Sequence, residues 1–193
     1  MPVPTLHRLA AIAGMLCAFA ICFNAARRGG LLPSTDLARA AAPLAQLFGL
    51  WLLTGLYTST RERTGVLGLA GYALNSLGLA GLAGCEYVVN FVLPFVPPAT
   101  VADLLDGLAG AVFTGTQAVL LVGALLFAAA LARGGHPPVA VALYAIGAVA
   151  IGLRGVLPDI TLNPGLVLTA TGIAWLAAGL YRSTERTKAV STH

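Results

Sequence analysis

Three apolar stretches of this chain run into the same two residues, Leu-Pro: Gly30-Leu31-Leu32-Pro33, Phe91-Val92-Leu93-Pro94 and Gly155-Val156-Leu157-Pro158. Proline has no N–H to donate, and it pushes the residue before it toward extended backbone, so a helix does not run through such a pair undisturbed. The recurrence predicts three helical hairpins whose first helices all end at one face, because two helix lengths separate each stop from the next.

Whether that face is wet is decided by composition. Of 193 residues, 58% are hydrophobic and only 9% charged, too little polar surface to cover a soluble globule. Apolar runs of about twenty residues cross a hydrocarbon core of roughly 30 Å as helices. Six such runs lie near residues 9–27, 41–59, 66–93, 108–132, 138–157 and 165–182. They are continuous and rich in Ala, Leu and Gly, without the alternation of a barrel strand. The expected fold is therefore an all-α integral membrane protein, a six-transmembrane-helix bundle of three sequential hairpins (1–64, 65–135 and 136–193) in one domain. The first run ends in the same punctuation as the fifth, so it reads as a retained membrane helix and not as a cleaved leader.

With the N-terminus inside, Arg8, Arg61, Arg63, Arg133, Arg182, Arg186 and Lys188 fall on the cytoplasmic side, against Arg27, Arg28, Arg39 and Arg154 outside. Seven against four follows the positive-inside bias and predicts both termini in the cytoplasm. The net charge of +4 is scattered over helix ends, so no nucleic-acid-binding surface is expected.

A second similarity ties the outer hairpins together: Gly55-Leu56-Tyr57 and Gly179-Leu180-Tyr181 each lead into a Ser/Thr/Arg/Glu tail. Tyr57 and Tyr181 are expected as interface anchors. The middle hairpin carries an extra segment around Pro97–Asp106, a short amphipathic helix at the outer interface or an ordered loop. Cys17, Cys22 and Cys85 read as small apolar residues. Small-xxx-small pairs, Ala80 with Gly84, Gly107 with Ala111 and Ala148 with Gly152, mark faces where helices pack closely on one another, or on a partner protein or a second copy, and membrane lipid is the expected surround.

The candidate site is a polar set in the outer half of the bundle. Asn75 and Glu86 are eleven residues apart, close to three helical turns, and Asn90 lies one turn beyond Glu86. A carboxylate inside a membrane helix needs protonation, water or a partner. Counting back from the prolines, Asn90 and Arg154 both stand four residues before theirs and Glu86 eight, which makes Arg154 the expected partner of Glu86. Asn24, Arg27, Asp159 and Asn163 would form the rim, with Gln46, Thr114 and Gln117 near it. The set is read either as structural glue between hairpins or as a ligand-binding vestibule.

No catalytic residues, metal site or cofactor are expected. His7, His136 and His193 all map to the cytoplasmic end, and there is no CxxC, HExxH, GxSxG or phosphate-binding Gly-Lys loop. The expected function is a non-enzymatic subunit or modulator of a membrane assembly, with a small-molecule or lipid binding or transport protein as the alternative. The run Arg61-Glu62-Arg63-Thr64-Gly65-Val66-Leu67-Gly68, followed by a Gly-rich helix that ends in a Glu and then Leu-Pro, resembles small, uncharacterised six-helix membrane proteins of high-GC bacteria. That resemblance implies a bacterial inner membrane and carries over no activity.

Overall fold

The computed structural model describes residues 3–191 apart from Ser34 and Gly155. Among the described residues the chain is helical, without strands: α1 (Val3–Arg28), α2 (Asp36–Phe91), α3 (Pro98–Asp106), α4 (Leu108–Arg133), α5 (Pro138–Gly152) and α6 (Leu162–Ser191), with single 3-10 turns at Leu93–Phe95 and Asp159–Thr161. Four stretches are long and apolar enough to cross a membrane: Thr5–Arg28, Ala38–Phe95, Leu108–Arg133 and Leu162–Glu185.

The second of these is two helices. Gly65 has φ 52 and ψ −135, non-helical backbone that reverses the chain. Only glycine adopts such a conformation without a Cβ clash. The arms 36–64 (α2a) and 66–91 (α2b), each roughly 40 Å long at helical rise, lie antiparallel. Tyr57 stacks on Tyr72 with ring centroids 4.5 Å apart, and Thr54 Oγ1 lies 3.3 Å from the Tyr72 hydroxyl. Sequence reading places a linker after residue 59; the helix instead runs on to Thr64, and the reversal takes one residue. Tyr57, expected as an interface anchor, spends its ring on this contact between arms.

The Leu-Pro pairs mark turns and not helix ends. The first helix stops at Arg28, the second arm of α2 at Phe91 and α5 at Gly152. The last stop corrects the expected helix over 138–157. After Gly152 the chain turns tightly, and Val156 N and Leu157 N both donate to Leu153 O at 2.8 Å. At 15 residues, α5 spans only about 22 Å, short of a hydrocarbon core.

Packing sets α1 between α2 and α6, α2 against α4, and α5 against α6 and α4. Glycines bring α2b and α4 close together. A Cβ on Gly78 would lie 2.4 Å from Leu120 Cα, and one on Gly123 only 2.3 Å from Asn75 N. These helices touch backbone to backbone, which only small residues permit. At the same end of the bundle as the Gly65 turn, Arg63 Nη1 donates to Gly134 O (3.2 Å), His7 Nε2 lies 3.1 Å from Thr58 Oγ1, and Arg8 sits over the Tyr181 ring. The core behind these contacts is Leu- and Ala-rich, with Phe127, Leu131 and Leu176 at or below 1% exposure. Large apolar residues such as Phe19, Trp51, Leu77, Ile146 and Trp175 point outward.

Candidate functional site

At the end of the bundle away from Gly65, five polar residues from three segments form one chain of contacts. Arg154, just past α5, places Nη1 3.5 Å from Glu86 Oε1 on α2b. Asn90 donates from Nδ2 to Glu86 Oε2 at 3.0 Å and to the Glu86 carbonyl at 2.8 Å. Arg27, in the last turn of α1, donates from Nη2 to Asn90 Oδ1 (3.2 Å) and Asn24 Oδ1 (3.0 Å). Asn24 and Asn90 are buried, at 8% and 6% exposure. Water access is graded: the Glu86 side chain is 13% exposed and that of Arg154 32%. Each amide uses its carbonyl toward a guanidinium and, for Asn90, its NH2 toward a carboxylate, so the network alternates charge and dipole in the sense that stabilises both ions.

Of the residues singled out in the sequence, Glu86, Asn90, Arg154, Asn24 and Arg27 are brought together here. Asn75 is not one of them. It lies three turns deeper on α2b, fully buried, where its Nδ2 donates to the hydroxyl of Tyr144 on α5. The side chain of Asp159 lies outside the described residues. Asn163 is half-buried in the first turn of α6, Gln46 and Gln117 are half-buried, and Thr114 is exposed.

A cavity links the two levels. Its volume is about 100 Å³ for the centres of water-sized spheres, and its lining runs from Asn24, Arg28, Glu86 and Arg154 past Gln46, Gln117, Asn75 and Tyr144 to Phe127, Leu131 and Leu176. The exposed Arg28 and partly exposed Arg154 mark the open end; the fully buried Leu131 and Leu176 close the other. Space drawn out along helices in this way takes a file of water or one extended chain, not a compact ligand. Its walls between the polar levels are apolar, with Leu79, Leu82, Leu120 and Ala148 among them.

Tyr144, and the reach of the cavity down to it, are what sequence reading missed. A lone Tyr in an apolar helix carries no signal of its partner, which comes from a helix 69 residues away. Chemically, the open end is lined by Arg28, Arg154 and Glu86, and Arg27 joins the same network through Asn90. No group of His, Cys, Asp and Glu able to hold a metal occurs among the described residues. Comparison with protein-family models, with curated proteins and with solved structures finds no match to this chain.

Proposed function

We propose that this chain is a bacterial inner-membrane protein that binds a small amphipathic anion in the cavity between its helices. In this reading α1, α2a, α2b, α4 and α6 cross the bilayer as helices, α5 completes its crossing only with the segment that follows Gly152, the three hairpins are α1 with α2a, α2b with α4 and α5 with α6, and both termini face the cytoplasm. The seven-to-four split of basic residues supports the orientation.

The observation that carries the binding reading is the cavity itself. Its walls are apolar between the polar levels, and at the open end Arg28 and Arg154 outnumber the carboxylate of Glu86, an arrangement that suits a hydrocarbon chain with an acidic head. The glycines weigh the same way. Gly71, Gly78, Gly123 and Gly152 are in contact with neighbouring helices of the same chain, which leaves less small-residue surface for a partner than their number suggests.

Binding of dodecanoate to the detergent-purified protein, measured by calorimetry, tests the reading, with dodecyltrimethylammonium as the oppositely charged control. Dodecanoate is expected to bind and the cation not to. Filling the cavity at Ala124 or Ala148, by Ala124→Phe or Ala148→Leu, is expected to weaken binding at least about tenfold. Equal binding of both amphiphiles, or binding unchanged in both folded variants, defeats it.

A second reading, a non-enzymatic subunit or modulator that associates with a partner or another copy, draws on Ala80 and Gly84, which are exposed, with no atom close to a Cβ built at Gly84. Native mass spectrometry from mild detergent separates the two: a monomer carrying a small molecule favours the first, a stable protein complex the second.

A further inference from the structure

Asn75 has more hydrogen-bonding capacity than the protein uses. Its side chain has no solvent exposure, its Nδ2 donates to the Tyr144 hydroxyl, and its Oδ1 is buried without a partner. Buried amide oxygens are nearly always satisfied, so an empty one in a cavity wall points to something that occupies the cavity. Tyr144, having accepted from Asn75, still has its own proton to donate. Both side chains line the same space, one from α2b and one from α5. The pair therefore offers an unpartnered acceptor on Asn75 and two donors, its second Nδ2 proton and the Tyr144 hydroxyl proton, and turning the amide over still leaves two donors and an acceptor. Its chemical complement is a group that donates and accepts at once, and in an apolar channel that group is a hydroxyl.

The depth of the pair defines where on a ligand the hydroxyl belongs. Asn75 and Glu86 are eleven residues apart on one helix, about 16 Å along its axis. Beyond Asn75 the lining continues to Phe127 and Leu131, and Phe127 packs so closely on Gly71, one turn further along α2b, that a Cβ there would lie 2.6 Å from the Phe127 nitrogen. A chain of ten to twelve carbons whose head stays at the open end brings its far end to the level of Asn75 and Tyr144.

We propose that Asn75 and Tyr144 form a second subsite, specific for a terminal hydroxyl, so that the preferred ligand is a medium-chain carboxylate hydroxylated at the end remote from its acid group. This rests on the binding reading given above and adds the substrate class to it.

The test compares pairs that differ in one oxygen: 12-hydroxydodecanoate with dodecanoate, and 10-hydroxydecanoate with decanoate, by calorimetry on the detergent-purified full chain. In at least one pair the hydroxy acid is expected to bind about tenfold more tightly, the value of one well-placed hydrogen bond. Tyr144→Phe, which keeps the ring, and Asn75→Leu should each shrink toward unity the ratio of hydroxy-acid to parent-acid affinity measured within that variant. Equal affinities within both wild-type pairs mean that water satisfies Asn75, and overturn the subsite while the cavity reading stands. A preference that survives in Tyr144→Phe and in Asn75→Leu also overturns it. If none of the four acids binds, the cavity reading falls and the subsite with it.

Discussion

Glu86 and Arg154 stand 3.5 Å apart because α5 ends at Gly152. Had that helix continued to its Leu-Pro, Arg154 would have been carried along the helix face; the turn onto the Leu153 carbonyl leaves the guanidinium free to reach a carboxylate about 7 Å inside the end of α2b. A short helix and an interior acid are thus two halves of one arrangement.

Because Arg154 is about one-third exposed and Glu86 much less so, the pair falls between a surface bridge and a buried one. Glu86→Gln and Arg154→Met alone are each expected to cost roughly 2 kcal/mol, below the 3 to 5 of a fully buried pair. The double variant should recover at least half of the summed loss, since neutral groups remove the desolvation penalty together with the attraction. Thermal unfolding of the wild type, both singles and the double in one detergent measures the coupling, and additive losses would show that the pair contributes nothing jointly.

The contact between α2b and α4 predicts opposite outcomes for two glycines on the same helix. At Gly78 a Cβ meets Leu120 backbone at 2.4 Å, whereas at Gly84 nothing lies within 4 Å. Gly78→Ala should therefore force the helices apart and cost roughly 1 to 3 kcal/mol. Gly84→Ala should be neutral or stabilising by up to about 1 kcal/mol through helix propensity. Unfolding midpoints of the two variants check the contrast.

Gly65 is expected to be intolerant for a different reason, its backbone. With φ 52 and ψ −135 and open space around it, Gly65→Ala is penalised by conformation and not by packing, by about 1 to 3 kcal/mol. Gly65→Asn should cost a similar amount, since Asn visits positive φ in the αL region and not near ψ −135. Two variants as stable as the wild type would argue against this origin.

His136 lies in the connection between α4 and α5, where burial, and then the nearby Arg63, lower its pKa. A histidine with a folded pKa below its unfolded value of about 6.5 binds fewer protons folded than unfolded, so stability rises with pH across that interval and is lost as pH falls below it. The unfolding midpoint is expected to drop between pH 7 and pH 5, and to drop less in His136→Gln. An unchanged pH slope in that variant would remove His136 from the account.

Orientation is open to single-cysteine labelling in intact cells, with Cys17, Cys22 and Cys85 replaced. A cysteine at position 103 should react with an impermeant maleimide and one at position 62 only after permeabilisation. The reverse pattern would invert the proposed topology without altering the bundle.

Much of this molecule was legible in the chain because lipid-scale helices advertise themselves. Continuous apolar runs, Leu-Pro turns and the placement of Tyr and Arg depend only on local composition, so the helical class and the order of the helical runs follow from residues alone. Glu86, Asn90 and Arg154 could be grouped by counting from the prolines, since helical rise turns sequence distance into depth. Position around a helix in space is another matter. That Asn75 binds Tyr144, that Gly78 and Gly123 bring two backbones together, and that a cavity remains between the helices all depend on how separate helices rotate and cross, which packing of side chains from distant segments decides. The end of α5 belongs to the same class. No residue at Gly152 forbids another turn; the ion pair and the packed turn that replace it exist only once α2b is beside it.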